Sequence, residues 1–261
     1  MPRHHPFLCA TVGAALAAPC AAQSPRTADP ERPTVATHAY AVAPGYVELE
    51  QGVRVIDPGG PPVTSWEFNL KLGVTPSLQV AFFGTALTRS PAGTGGDVGF
   101  AFKVRRDLSP RAAVALVPQL TLPTGRAALG YGAGRALGGL VGVLSADLPG
   151  HLHLDVNAGV LGLGAGVPQG LGTVSGGVAA GRFGVQSEVY RIGPGGAGAG
   201  QSGWLLAGTV APAPWLVLDL GHVVALSSGG GAQWVAGGTV NLGRMFKWRA
   251  PLTGLRSAAT M

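Results

Sequence analysis

The sequence predicts an all-β fold: an antiparallel up-and-down transmembrane β-barrel of about twelve strands, preceded by a cleaved signal peptide. Three observations lead to this prediction: alternating residue patterns of strand length, connections that are alternately short and long, and a composition poor in charge. Only 11% of the 261 residues are charged, whereas a typical soluble domain carries about 25%. This composition argues against a surface that is covered mainly by water.

The N-terminus predicts a secretory signal peptide over residues 1–22. Basic Arg3 precedes the apolar run Phe7–Pro19, and small residues follow at the expected cleavage site. The apolar run is too short for a membrane-spanning helix, which needs about 20 residues. Both cysteines, Cys9 and Cys20, lie inside this signal. The mature chain therefore has no cysteine for disulfides, thiolate catalysis or metal binding.

The remaining chain divides into three parts. Residues 23–44 are polar, contain several prolines and show no periodicity, so we expect a flexible periplasmic leader. Residues 45–246 form the predicted barrel, and residues 247–261 form a C-terminal tail. Barrels of this kind commonly end on an aromatic residue, whereas this chain continues past Phe246.

The clearest strand pattern lies at the centre of the sequence. Val98, Phe100, Phe102 and Val104 alternate with small or charged residues. Such alternation is typical of a strand with one apolar and one polar face. A polar turn at Arg106–Pro110 and a second apolar run, Arg111–Leu122, complete a predicted β-hairpin.

Similar patterns, blurred by glycine in the second half, recur along the chain. We expect the other strands at Tyr46–Ile56, Thr64–Val74, Leu78–Leu87, Ala136–Leu148, His151–Gly162, Gly172–Gly181, Arg182–Ile192, Ser202–Val210, Trp215–Ala225 and Gln233–Leu242. The connections between them alternate between short turns and long Gly-rich loops. Outer-membrane barrels have this arrangement, whereas a soluble sandwich has no reason to separate its loop lengths in this way.

Charged and polar residues alternate with the apolar ones and are predicted to face the barrel lumen. They are Glu48, Glu50, Arg54, Glu67, Lys71, Asp97, Lys103, Arg105, His153, Asp155, Asn157, Glu188 and Asp219. Two interpretations remain open at this point. The charges could select or bind a solute, or they could pair with one another and fill a narrow barrel.

Part of the chain resembles a known family. The segments GDVGFAFKVRRDL, ALVPQLTLPTG and LHLDVNAG, within residues 48–164, resemble the outer-membrane β-barrel family labelled "putative MetA-pathway of phenol degradation". The matching positions are Asp97, Lys103, Arg105, Pro123, Thr124, Gly125, His153 and Asn157. The resemblance implies a transporter-like barrel in the outer membrane of a Gram-negative bacterium, and it brings no catalytic residues.

The predicted function is a channel or transporter for small molecules, which could be hydrophobic or aromatic. The alternative is a structural barrel with a plugged lumen, and a third interpretation is an enzyme with a rim active site. We expect no enzyme, because no G-x-S-x-G motif occurs. We expect no cofactor and no metal, because the Gly-rich loops lack Gly-Lys-Ser/Thr and His151, His153 and Asp155 are spread along one strand.

The expected partners agree with the same interpretation. They are outer-membrane lipid, the barrel-assembly machinery and a small-molecule solute. The formal net charge is +6, but the basic residues are dispersed rather than clustered, so we expect no nucleic-acid binding.

Overall fold

The structure is a computed structural model that describes residues 26–57, 59–89, 93–227 and 231–249. The predicted signal peptide lies outside these residues. Twelve long strands and one two-residue strand form a single sheet. The strands are β1 (Tyr46–Asp57), β2 (Val63–Thr75), β3 (Leu78–Arg89), β4 (Gly93–Thr94), β5 (Val98–Ser109), β6 (Ala112–Leu122), β7 (Leu137–Leu148), β8 (Leu152–Leu163), β9 (Gln169–Ala180), β10 (Phe183–Ile192), β11 (Gln201–Ala213), β12 (Leu216–Ala225) and β13 (Ala232–Arg244).

The sheet closes on itself. Each long strand pairs antiparallel with its neighbours along the chain, and the first strand also pairs with the last, Leu49 lying opposite Val240. The short strand β4 only extends the end of β3. The predicted twelve-stranded antiparallel barrel is therefore confirmed. Closure pairs the backbone groups that a sheet edge would leave free, which matters in lipid because no water can satisfy them.

Several strand boundaries differ from the prediction: β9 begins at Gln169 rather than Gly172, and β11 ends at Ala213 rather than Val210. The turn between β5 and β6 also lies elsewhere. The sequence predicted a turn over Arg106–Pro110, whereas β5 continues to Ser109 and the turn lies at residues 110–111. Arg106 pairs with Val114, and Asp107 pairs with Ala113. Polar residues can continue a strand here because they lie near the end of the barrel wall, where they are exposed or half-buried.

The connections lie at two ends of the barrel, as predicted. Short turns join β2 to β3, β5 to β6, β7 to β8, β9 to β10 and β11 to β12; we call this the short-turn end. Longer loops lie at the opposite, long-loop end, and one of them contains a 3-10 helix, Ala127–Leu129. β1 begins and β13 ends at the short-turn end, where the Met245 N–H donates to the Gly45 carbonyl (2.7 Å).

The outer face of the wall is apolar. Its exposed side chains include Trp66, Phe100, Phe102, Leu206 and Trp234. Phe82 contacts Phe68 and Phe100 on neighbouring strands, with ring centroids 5.4 and 5.1 Å apart. Such aromatic pairs across strands stabilise the register of a sheet. No helix in the described part of the chain is long and apolar enough to cross a membrane.

Candidate functional site

The barrel lumen contains residues 26–44, which we call the lumen segment. The sequence predicted a flexible leader over residues 23–44, but the structure packs the described part of it against the inner wall. Ala36, Ala39 and Val42 are all buried. The segment has no periodicity because it contacts wall residues on several sides, so no regular face separates buried from exposed positions.

The lumen segment enters and leaves at the same end of the barrel. The Ala28 N–H donates to the Pro214 carbonyl in a short turn (2.8 Å), and the Gly45 N–H donates to the carbonyl of Gly73, near the end of β2 (2.7 Å). Between these points the segment reaches Glu188, in the middle of β10. It therefore forms a bend whose two arms both point toward the short-turn end.

Wall carboxylates hold the backbone of the first arm. Glu48 Oε2 accepts from the Asp29 N–H (2.8 Å), and Glu50 Oε1 accepts from the Glu31 N–H (2.6 Å). A buried backbone N–H without an acceptor costs free energy. The carboxylates of β1 therefore replace the acceptors that regular secondary structure would have supplied.

Side chains on other strands hold the bend and the second arm. Glu188 accepts from the N–H groups of Val35 and Ala36 (2.7 and 2.6 Å). Asn157 both accepts from the Thr37 N–H and donates to its carbonyl (2.8 and 2.9 Å). Further along the second arm, Ser145 Oγ accepts from the Ala39 N–H (2.7 Å), and Gln79 Oε1 accepts from the Val42 N–H (2.9 Å).

Two buried lysines neutralise carboxylates of β1 and of the lumen segment. Lys71 is 0% exposed, and its Nζ lies 2.6 Å from Glu48 and 2.8 Å from Glu50. Lys103 forms an ion pair with Glu31 of the lumen segment and donates to the Tyr40 carbonyl (3.0 Å). The predicted lumen charges in this region therefore pair with one another and with the segment.

The environment of Glu31 keeps its carboxylate ionised. Burial alone would raise the pKa of Glu31, but the ammonium groups of Lys103 and Lys71 and the nearby His38 outweigh burial and hold this pKa below its usual value. The first arm of the segment therefore carries a stable negative charge opposite the lysines.

Glycines in the wall make room for the segment. A Cβ added to Gly73 would lie 2.1 Å from the Val42 carbonyl oxygen, and one added to Gly52 would lie 2.1 Å from Arg32 Nη2. Arg32 forms an ion pair with Asp219 on β12 (3.4 Å). The close approach of the segment to the wall therefore depends on missing side chains at these positions.

A polar cluster joins the second arm to β7 and β8 near the short-turn end. His153 Nδ1 lies 2.7 Å from Asp147, and its Nε2 lies 3.0 Å from Asp155. Tyr40 donates to Asp147 (2.9 Å), and Ser145 donates to Asp155. Both ring nitrogens of His153 therefore face a carboxyl group, and the cluster ties β7, β8 and the second arm together.

The remaining predicted residues lie toward the two ends of the lumen. Arg54 binds Glu67 (2.9 Å) and Gln233 (2.7 Å). Asp97 precedes β5 and accepts from the N–H groups of Gly125 and Ala133 (both 2.8 Å), so it also holds the long loop between β6 and β7. Near the other end, Arg105 pairs with Asp107 and lies 5.3 Å from the centre of the Tyr40 ring.

Cavities adjoin the lumen segment in the part of the chain that the structure describes. The lower cavity, about 370 Å³, adjoins His153 and Tyr40 near the short-turn end. The outer cavity, about 330 Å³, lies beside the bend and is lined by Arg32, Arg54 and Asp97. The inner cavity, about 310 Å³, lies between the segment and the inner face of β2 to β9.

The comparisons with known proteins agree with this geometry. No family model matches the chain, and no curated protein matches it. Among solved structures, an outer membrane channel from Pseudomonas putida F1 aligns with a TM-score of 0.57 and 12% identity, covering 80% of this chain and 100% of that chain. The NanC porin aligns with a TM-score of 0.52 and 8% identity, covering 75% of this chain and 98% of that chain.

This chain has the fold of an outer-membrane channel barrel. The identities are too low to transfer a substrate or a mechanism from either neighbour. The function must therefore be argued from the lumen itself.

Several residues of this lumen were not among the predicted site residues. Gln79 and Ser145 are buried wall residues that hold the second arm, and their polar side chains at inward positions were the only signal in the sequence. Tyr40 and Arg32 belong to the segment that was expected to lie outside the barrel. No periodicity could have placed them in the lumen.

Proposed function

We propose that this protein is an outer-membrane channel for small molecules and that the lumen segment closes it in the state described. The observation that carries the proposal is the position of the bend at Val35 and Ala36, whose N–H groups reach Glu188 in the middle of the wall. The solved neighbours, described as a channel and a porin, support the same class.

The contacts of the segment favour a removable plug. The segment is attached to the wall by hydrogen bonds and ion pairs rather than by covalent bonds. A neutral hydrogen bond contributes about 0.5–1.5 kcal/mol net, and one to a charged group contributes about 1.5–3 kcal/mol. Its buried apolar residues are mostly small, such as Ala36 and Ala39. Displacement would therefore require no rupture of the wall itself.

The outer membrane is the proposed location, with its lipid and the barrel-assembly machinery as partners. The apolar outer face supports this location, because exposed residues such as Leu206 and Trp234 would be poorly accommodated by water. The resemblance of residues 48–164 to a transporter-like outer-membrane family supports the same location.

The proposed solutes are small and largely hydrophobic, including aromatic molecules. The support is the inner cavity, in which Val117, Val141 and Leu161 face the lumen segment. A porin for strongly charged solutes would be expected to have free charges there, whereas Lys103 is already paired with Glu31.

A structural barrel without transport is the second candidate. It is favoured by the internal pairing of Lys71 with Glu48 and Glu50, because charges that cancel one another leave little to attract a solute. The two candidates differ in the conductance that each expects after displacement of the segment.

The test is the conductance of the Gly73→Val variant in planar lipid bilayers. Each of the three atoms nearest a Cβ at Gly73 belongs to the lumen segment, to Val42 or Ala43, so valine should expel the second arm without disturbing the wall. The matched control is Gly208→Val, because a Cβ at Gly208 would meet nothing within 4 Å.

The channel proposal expects larger single-channel conductance in Gly73→Val than in the unmodified protein, and no change in Gly208→Val. A double variant, Gly73→Val with Glu188→Ala, removes a second attachment of the segment. If both displaced variants are folded barrels and neither conducts, the channel proposal is wrong and the structural barrel is supported.

A further inference from the structure

We propose that the inner cavity is a binding site for a compact, uncharged, largely apolar molecule of one or two rings that carries a hydroxyl or N–H donor. This proposal names the ligand class of the channel proposed above and rests on that function for its biological role. The binding itself can be measured without any transport.

The size of the cavity sets the size of the ligand. An apolar cavity of about 150 Å³ is large enough to bind benzene, and the inner cavity measures about 310 Å³. It lies at the lower end of the range typical of small-molecule pockets, about 300–1,000 Å³. A molecule of one or two rings therefore fits without displacement of the wall.

The apolar lining of the cavity favours a ligand that is itself mostly apolar. Side chains of Phe83, Val117, Val141, Leu161 and Leu171 line the cavity from the wall, and Val35 lines it from the lumen segment. Burial of apolar surface is worth about 25 cal/mol per Å². A ring packed against these side chains would gain most of its affinity from this burial.

The charged groups of the cavity exclude a charged ligand. Lys103 and Glu31 line it, but they form an ion pair with each other. A charged ligand would lose its hydration without gaining a free counter-charge, which is costly in a buried site. The site therefore favours an uncharged molecule.

A free acceptor in the cavity favours a ligand that carries a hydrogen-bond donor. Most polar side chains of the cavity are already bonded, including Asn157 to Thr37 and Gln79 to Val42. Asn69 donates from Nδ2 to Glu50 (3.4 Å), while its buried Oδ1 has no partner among the described residues. A ligand hydroxyl or N–H would satisfy this acceptor.

The arrangement of the cavities gives the ligand a route. Asn69 and Phe83 line both the outer and the inner cavity, so the two adjoin at these residues. The outer cavity lies beside the bend of the segment, on the side toward the long loops. A molecule that enters from the long-loop end would pass the bend and reach Asn69.

The experiment is isothermal titration of the full mature chain in detergent micelles, with empty micelles as the blank. Three probes of similar size separate the contributions: cyclohexanol carries a donor, cyclohexanone only accepts, and cyclohexanecarboxylate is charged. We expect saturable binding of cyclohexanol at one site, weaker binding of cyclohexanone and no saturable binding of the carboxylate.

Two variants locate the site. Asn69→Leu removes the free acceptor and should weaken cyclohexanol binding roughly threefold to tenfold, as expected for the loss of one hydrogen bond, while cyclohexanone binding changes little. The matched control is Gln186→Leu, because Gln186 Oε1 is also a buried acceptor without a partner among the described residues but lines the lower cavity. A third variant, Ala81→Phe, fills the inner cavity from the wall and should abolish binding.

The proposal is overturned if cyclohexanol does not saturate, if the carboxylate binds best, or if Asn69→Leu and Gln186→Leu bind cyclohexanol equally well. If Ala81→Phe does not fold, the comparison of the two leucine variants still tests whether cyclohexanol binds at Asn69. Saturable binding by a protein whose Gly73→Val variant does not conduct would support this site and contradict the channel. Conductance of the Gly73→Val variant without saturable cyclohexanol binding would support the channel and contradict this binding site.

Discussion

Glu188 Oε2 accepts a hydrogen bond of 2.7 Å from the backbone N–H of Val35, a residue 153 positions earlier in the chain. The other carboxylate oxygen of Glu188 accepts from the neighbouring N–H, that of Ala36 (2.6 Å). One wall side chain therefore fixes the bend of the lumen segment.

Loss of the Glu188 carboxylate should release the bend. In Glu188→Ala, two buried N–H groups lose their acceptors, at a cost of about 1–3 kcal/mol for each unsatisfied group. Hydrogen–deuterium exchange of the peptide that contains Val35 should become faster, while exchange in the wall strands stays slow. Glu67→Ala is the control, because Glu67 binds Arg54 rather than the segment; equal exchange in both variants would contradict the role of Glu188.

Removal of the Lys71 ammonium group should destabilise the whole protein. Lys71→Met leaves Glu48 and Glu50 buried without their cation, and breaking a buried ion pair in this way costs about 3–5 kcal/mol. The urea concentration needed for unfolding in micelles should fall accordingly. Lys247→Met changes an exposed lysine and should have little effect; a similarly small effect for Lys71→Met would show that these carboxylates do not need the cation.

A charged residue on the outer face should lower the stability of the barrel only where it lies in the wall. Leu206 is 50% exposed on β11, near the middle of its strand, and an arginine facing lipid at that depth costs about 2–4 kcal/mol. Leu206→Arg should therefore lower the stability of the barrel refolded into lipid vesicles. Leu129→Arg, in a long loop, should be nearly neutral, and equal stability of the two variants would argue against a lipid-facing wall.

Displacement of the lumen segment should expose it to reagents. The mature chain has no cysteine if the signal peptide is cleaved as predicted, so a single Ala36→Cys substitution provides a unique thiol. We expect a water-soluble maleimide to modify this thiol slowly in the otherwise unmodified protein, because Ala36 is 3% exposed, and quickly when Gly73→Val is added. The control substitution, Leu129→Cys, should give a thiol that reacts quickly in both backgrounds. Slow modification of the Ala36→Cys thiol in both backgrounds would show that the segment stays in place.

The wall could be predicted from the sequence because its signal is local. Val98, Phe100 and Phe102 alternate with residues of the opposite face, and this period of two requires only neighbouring positions. The alternation of short and long connections then indicated a closed barrel. Glycine obscured the alternation in β9, but pairing with β8 and β10 specifies that strand independently of its side chains.

The lumen segment could not be predicted because its contacts are distant in sequence. Glu31 pairs with Lys103, and Thr37 pairs with Asn157, 120 residues later. An extended segment enclosed by a barrel has no repeating face, so its polar composition is the same as that of a leader exposed to water. The polar residues at inward positions of the wall, such as Ser145, were the one signal that could have indicated a partner inside the lumen.

The shared exit of the two arms has a consequence for biogenesis. Had the segment run straight through the barrel, a chain end would have had to be threaded through the finished ring, or the ring would have had to close around it. The arms that contain Ala28 and Gly45 leave the barrel at the same end. The segment can therefore enter a closed barrel through that end in its bent conformation. Closure of the wall and occupation of its interior are therefore separable steps, and the second can follow the first from the short-turn end.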